Sequence, residues 1–366
     1  MSAQPRTTWA PGNEILIVGG YGQVGRAIAE RLAPLFPNRV VVAGRDSHKA
    51  KRAAAEIGRG TRARAVDITG ECSATALDKV MLVLVCLDQT DTHFVEYCLA
   101  SGVHYLDISA NSAFFSRVEQ LDMLAKRNAA AATLSVGVAP GLTNLIAARA
   151  RQRMDHVDRI DIVVELGLGD RHGRAAVEWM LDNLDAEFHV RRDSRNVTVR
   201  SFEDSIDLAI PGQGGPRPAY RFNFSDQHVI GRTLDVPTVS SWVRFDSRTS
   251  TWLIAKSVRA GLARLLRRRR WRKRAVWLFM NAHLGSDVCG VAVRAEGRTN
   301  ARAHSQTLGV VGRKEAQMTA IIAAETARPA LAWRPAPGVF HSEQVVALDP
   351  IVRALQAELP GLVVTL

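Results

Sequence analysis

Between four consecutive apolar residues, Ile15-Leu16-Ile17-Val18, and a stretch of helical period stands Gly20-Tyr21-Gly22-Gln23-Val24-Gly25, the feature that most restricts how this chain can fold. The apolar run is too short for a helix and ends at glycine, so it reads as a buried strand. After it, Val24, Ala27, Ile28 and Leu32 share one helix face, and Pro34 and Pro37 close the helix. A G-x-G-x-x-G at a strand-to-helix junction has a physical purpose. The first glycine permits the tight turn, the second lets backbone approach a pyrophosphate, and the third lets helix and strand pack closely. The helix N-terminus then offers unpaired N–H groups to the anion. A merely tight turn would not need this context, so Gly20, Tyr21, Gly22, Gln23, Val24 and Gly25 are expected to contact a dinucleotide.

The pattern that follows supports this. Apolar strands are predicted at residues 40–43, 63–68, 81–86, 103–108 and 134–138, separated by helix-period segments at 49–57, 94–100, 113–132 and 143–154. Six strands with crossover helices make an N-terminal Rossmann-type doubly wound parallel sheet, placed at residues 1–150. Beyond about residue 155 longer alternating segments follow without regular crossovers, which predicts an α+β substrate domain with a mostly antiparallel sheet over 151–312. Residues 313–366 are expected to return to the first domain as a helix and tail. A chain of 366 residues outgrows one core, which agrees with two domains.

About twenty residues after Gly25 an NAD-preferring site would place an acid. Here the position holds Gly44-Arg45, with Ser47 and Lys49 behind it and Asp46 one position late. A guanidinium matches a phosphate, so NADP is the expected cofactor. Ligands of such sheets lie outside the carboxyl ends of the strands, which adds Asp67, Ile68, Cys86, Leu87, Asp88, Val138 and Ala139 as candidate contacts.

The segments LVLVCLDQ, VEYCLASGVHYLDIS (residues 95–109), VGVAPGLTNLIA (136–147) and GVFHSEQVVALDP (338–350) resemble saccharopine-dehydrogenase-type reductases. The resemblance implies an NADP-linked oxidoreductase with a Rossmann domain and an α+β substrate domain, in a group that includes enzymes reducing an imine formed from an amine and a carbonyl compound. It also puts the dinucleotide loop on Gly20, Gly22 and Gly25, the phosphate-reading segment on residues 45–49, and a nicotinamide-side loop on residues 138–144. The chain departs from the family at Leu87-Asp88-Gln89-Thr90, where a small-residue turn is usual.

Other chemistries fail on spacing. Tyr21, Tyr97, Tyr105 and Tyr220 are followed four residues later by Gly25, Ser101, Ser109 and Phe224, so no Tyr-x-x-x-Lys pair exists. Cys72, Cys86, Cys98 and Cys289 form no C-x-x-C pair, and no metal site or disulfide framework is expected. Imine reduction needs a proton source near the nicotinamide, for which Asp107, Tyr105, His93 and His341 are the candidates. Arg244 and Arg174 are candidate carboxylate binders. The expected function is NADP(H)-dependent reduction of a C=N or C=O bond in a small, amino-acid-like substrate held between the domains of a homodimer. The rival is a non-catalytic nucleotide-sensing or membrane-surface scaffold.

The formal net charge of +12 is local. Residues 251–282 carry ten Lys and Arg and no acid; without them 38 basic residues face 36 acidic ones. Leu262, Leu265, Leu266, Trp271, Val276, Trp277 and Phe279 interleave with these charges. As a helix, residues 256–279 would present an apolar stripe and a cationic face to an anionic membrane surface. Nucleic acid is disfavoured because no recognition module accompanies the charge. No signal-peptide-like stretch and no run of about 18 apolar residues appears, so a cytoplasmic location with peripheral membrane contact is expected.

Overall fold

A computed structural model describes residues 12–69, 75–281, 285–332 and 335–366. In chain order the elements are β1 (Glu14–Val18), α1 (Gln23–Leu35), β2 (Val40–Gly44), α2 (Ser47–Ile57), β3 (Arg62–Ala65), β4 (Val80–Val85), α3 (His93–Ala100), β5 (His104–Asp107), α4 (Ser112–Glu119), α5 (Asp122–Arg127) and β6 (Ala131–Leu134). Next come α6 (Thr143–Gln152), β7 (His156–Leu166), α7 (Arg174–Asn183), β8 (Glu187–Arg192), β9 (Arg195–Arg200), β10 (Ser205–Leu208), β11 (Arg217–Arg221), α8 (Asp226–Thr233) and β12 (Thr238–Phe245). The remainder is α9 (Arg248–Arg259), α10 (Arg269–Asn281), β13 (Val288–Thr299), β14 (Arg302–Arg313), α11 (Glu315–Ala332), β15 (Gly338–His341), α12 (Ser342–Val345), α13 (Leu348–Glu358) and β16 (Val363–Thr365).

The first compact unit holds the described residues up to Ser109, together with Ala113–Leu134 and Ala327–Phe340. Its sheet runs β15-β6-β5-β4-β1-β2-β3, with parallel pairing from β6 through to β3. This is the doubly wound order expected from the strand-helix alternation. Strands β1 and β4 are buried almost throughout, as central parallel strands covered on both faces must be. Glu14 is the one charged residue buried in them, and Arg62 and Arg64 neutralise it. Three details differ from expectation. A seventh strand, β15, arrives from the tail; the sixth strand lies at 131–134 rather than 134–138; and the helix expected over 113–132 is two helices, broken where Gln120 and Leu121 turn back on Arg117 and Val118.

The second unit comprises Ala110–Ser112, Ser135–Thr326 and His341–Leu366. Its sheet runs β10-β11-β12-β7-β13-β14-β16 and is antiparallel except for the β12–β7 pair, matching the expected mostly antiparallel α+β architecture. A small β8–β9 hairpin stands beside it. The unit begins at Ser135, whereas the sequence placed the boundary at 150, because Leu145, Ile146, Ala147 and Ala150 of α6 share one core with Ile160, Val164 and Val291. For the same reason the tail divides. Ile351 and Leu355 of α13 enter the second core, and β16 pairs with β14. The basic segment is also not one helix: α9 ends, Gly261 takes φ +80°, a short 3-10 turn covers Leu262–Arg267, and α10 follows.

Candidate active site

Parallel register brings the carboxyl ends of five strands to one edge. Val18 is level with Ala43 and with Val85, Gly44 with Ala65, and Val85 with Asp107. Four hydrogen bonds carry the ladder past those ends, from Gly19, Val66, Cys86 and Ile108 N–H groups to the carbonyls of Ala43, Gly44, Val18 and Val85. Residues 19–25, 44–49, 66–68, 86–89 and 107–109 therefore share one rim without any being close in sequence to the next.

The glycines of the loop are there because nothing larger fits. A Cβ on Gly20 would stand 2.7 Å from the Ile17 carbonyl oxygen, and one on Gly25 would stand 2.4 Å from the Gly19 carbonyl oxygen. A Cβ on Gly22 would come within 3.1 Å of the same oxygen. Gly19, at φ +79°, lies beneath the Leu87 side chain, so the predicted contact Leu87 borders the turn. Helix α1 starts at Gln23 with no acid in its first turn and only a glycine at its cap, which leaves its N-terminal field to an anion. These features fit a diphosphate cradled by backbone.

Next to the loop, Tyr21 lies across the end of β2: a Cβ on Gly44 would strike its ring at 2.4 Å. Arg45 is exposed and has no ion-pair partner among the described residues. Asp46 turns away to cap α2, accepting hydrogen bonds from the backbone N–H groups of His48 (3.1 Å) and Lys49 (3.0 Å). Its other oxygen lies 3.4 Å from Lys49 Nζ. The Lys49 backbone bond leads the causes that hold the Asp46 carboxyl below the usual carboxylate range. Ser47 opens α2 behind it. Across the rim, Asp67 folds onto Thr69 N–H and hydroxyl, and those bonds, helped by the field of Arg45, keep it ionised. Ile68 is buried beside it.

At the other end of the rim Tyr105 and Asp107 alternate along β5 and so project to the same face. Both are buried, at 1% and 0% exposure. The Tyr105 hydroxyl donates to Asp107 Oδ2, and Gln89 Nε2 donates to the Tyr105 oxygen and, at 2.9 Å, to the same Oδ2. Ser109 N–H donates to Oδ1. Burial raises the Asp107 carboxyl to about 6 despite these donors, and pushes Tyr105 well above its ordinary value. The neighbouring Cys86 thiol is raised as well, by burial and then by Asp107. Gln89 Oε1 is buried without a partner, an acceptor left for a group with an N–H. In the sequence Gln89 is only part of the departure at 87–90. Its buried amide bridging two strand-end residues was the contribution missed, and no local spacing could have revealed it.

The remaining candidates have other surroundings. His93 is 81% exposed with its Nδ1 3.2 Å from Asp91, outside the Tyr105–Asp107 cluster. His341, in the second unit, is buried, bonds Ser135 Oγ through Nδ1 at 2.7 Å and forms a capping box with Gln344. Val138 and Ala139 also fall in the second unit, in the turn that precedes α6; there Asn144 accepts from Gly141 N–H and donates to Glu343. Arg244 is not available to a substrate. It is wholly buried on β12 and satisfied by Glu165, the Leu208 carbonyl and Gln213. Arg174 pairs with Glu178 one turn along α7. Among the described residues no group of acids, histidines and cysteines could hold a metal ion, and Cys86, Cys98 and Cys289 form no disulfide; Cys72 lies outside the described residues.

Three comparisons bear on this arrangement. No curated protein matches the sequence. Apo saccharopine dehydrogenase (L-Glu forming) from Saccharomyces cerevisiae shares the fold at 15% identity and a TM-score of 0.64, over 97% of this chain and 100% of that one. DAP dehydrogenase from C. glutamicum, in complex with DAP, aligns at 14% identity and a TM-score of 0.46, over 94% of this chain and 99% of that one. The family model for the saccharopine dehydrogenase NADP-binding domain matches residues 15–135, which run from the second residue of β1 through β6 and include the glycine loop, Arg45 and the Tyr105–Asp107–Gln89 cluster. Over those residues the chain is similar to the saccharopine dehydrogenase NADP-binding domain family.

Proposed function

We propose that this protein is an NADP(H)-dependent oxidoreductase that reduces a C=N or C=O bond of a small, amino-acid-like substrate. The observation that carries the cofactor preference is the pairing of Arg45 and Asp46. The guanidinium is exposed with no ion-pair partner among the described residues, while Asp46, the acid next to it that could hold ribose hydroxyls, is committed to the α2 backbone and Lys49. In this reading the residue 20–25 backbone holds the diphosphate, Arg45 reads the 2′-phosphate and Tyr21 flanks the adenosine side of the rim. Bound NADPH supplies the hydride. The protein supplies the proton: Asp107 Oδ2, addressed by Tyr105 and Gln89, belongs to a carboxyl whose raised pKa of about 6 keeps a protonated fraction near neutral pH. The likeness of residues 15–135 to a saccharopine dehydrogenase domain supports an amino-acid-like substrate.

Fluorescence titration with NADPH and NADH tests the cofactor assignment. Tighter binding of NADPH is expected, and Arg45→Ala should weaken it about 10- to 100-fold, the value of a charge-assisted hydrogen bond or two, with NADH unaffected. An equal loss for both cofactors removes Arg45 from the 2′-phosphate. NADPH consumption with amines paired to keto acids tests the chemistry, and Asp107→Asn should slow it by roughly a hundredfold or more with binding intact. Binding without turnover across that scan would replace the enzyme reading with nucleotide sensing.

A further inference from the structure

We infer that α9, the turn after it and α10 form a docking surface for an anionic lipid bilayer. Of the thirteen large apolar side chains exposed among the described residues, eight lie between Trp252 and Met280. Single exposed apolar residues are ordinary on a protein surface; this concentration is not. Trp252, Leu253, Trp277 and Leu278 are 56%, 60%, 66% and 54% exposed.

The helix is held by its other face. Val276 is buried in the second unit's core, and Arg272 pairs with Asp182 on α7. With α10 anchored so, Trp277 points outward and has Arg270, Lys273 and Arg274 at seven, four and three residues before it, on the same helix face. Arg268, Arg269, Arg270, Lys273 and Arg274 have no ion-pair partner among the described residues, and residues 251–282 contain no acid to supply one. Exposed tryptophan between cations is the composition of a helix lying in the headgroup layer, where the indole sits at the interface and each cation meets an anionic lipid.

The same surface suits other occupants less well. A nucleic acid would satisfy the cations but leave Leu253 and Leu278 in water. A second copy of this chain would cover the apolar residues but bring two acid-free cationic segments together. An anionic bilayer meets both demands. No helix among the described residues is long and apolar enough to cross a membrane, so the contact is peripheral.

The test is sedimentation of the full chain with phosphatidylcholine vesicles, with and without phosphatidylglycerol, at low and high salt. Binding is expected only with phosphatidylglycerol and should fall as salt rises. The double variant Lys273→Gln/Arg274→Gln should weaken it roughly 30-fold, at about 1 kcal/mol for each cation. Trp277→Ser/Leu278→Ser should weaken it at least about tenfold through lost apolar burial. Both variants should keep the parent melting temperature and nucleotide affinity, since neither pair lies in the core or on the nucleotide rim. Failure to sediment with anionic vesicles, or equal binding to neutral ones, overturns the inference. So does binding of a duplex oligonucleotide that the charge variant abolishes while vesicles bind nothing, or a dimer that the Trp277→Ser/Leu278→Ser protein cannot form. These outcomes are independent of NADPH turnover.

Discussion

Asp107 and Asp161 are both fully buried strand aspartates, one in each sheet, and their surroundings drive their chemistry in opposite directions. Around Asp107 stand only neutral donors, those of Tyr105, Gln89 and Ser109, and burial wins: the carboxyl rises to about 6. Burial presses on Asp161 too, but Arg159 grips both its oxygens at 2.8 and 3.0 Å, Arg294 adds a bond at 2.8 Å and Trp242 Nε1 another at 3.0 Å. The two cations outweigh desolvation and the carboxyl falls below its ordinary range. A buried acid ringed by cations stays ionised; one supported only by neutral donors favours its protonated form.

The largest effect expected from this contrast is on stability. Asp161→Ala leaves two guanidinium groups and an indole N–H facing an empty site, and should cost about 3 kcal/mol in urea unfolding. This is the low end for a broken buried pair, because Arg159 and Arg294 are themselves partly exposed, at 39% and 26%. A cost below about 1 kcal/mol would show that the pairing contributes little and the contrast is false.

The next effect is a pair of opposite pH windows. Asp107 favours its protonated form in the fold, so its contribution is complete below the usual carboxylate range and is lost as pH rises through about 6. That loss is on the order of 2–3 kcal/mol, and the stability difference between the parent and Asp107→Asn should follow it. Asp161 behaves in reverse. Its contribution is present above the unfolded carboxylate value and disappears as pH falls through its lowered folded value. Urea midpoints from pH 3 to pH 8 for both variants would separate the windows, and a common window would break the comparison. The smallest effect should come from Tyr105→Phe. Removing the hydroxyl that donates to Asp107 should cost about 1 kcal/mol and push the Asp107 window further up in pH. A downward displacement would mean that the phenol does not stabilise the carboxylate.

The resemblance to saccharopine-dehydrogenase-type reductases, read from four short segments, holds over residues 15–135, and the two sheet types follow the expected change from crossovers to hairpins. Local pattern failed where distant segments met. Nothing in GVFH at 338–341 announces an edge strand of the first sheet, because short apolar runs carry no record of their partner. Arg244 looked available in the sequence because a guanidinium's pairing to Glu165, 79 residues away, is invisible there. Helix α6 changed units for a similar reason: its periodicity specifies an apolar face but not which core receives it.

By itself the sequence determined what depends on neighbours along the chain. It placed the glycine turn between strand and helix, an arginine where an acid would favour NAD, and an acid-free cationic stretch with tryptophans in it. Tertiary structure alone decided which polar groups are buried together. Gln89 closing on Tyr105 and Asp107, Asp46 turned into a helix cap and Arg272 drawn to Asp182 each depend on distances set by strand register and helix packing. The physical reason is that backbone conformation responds to adjacent residues, whereas the charge state of a side chain responds to whatever the fold brings within a few ångströms of it.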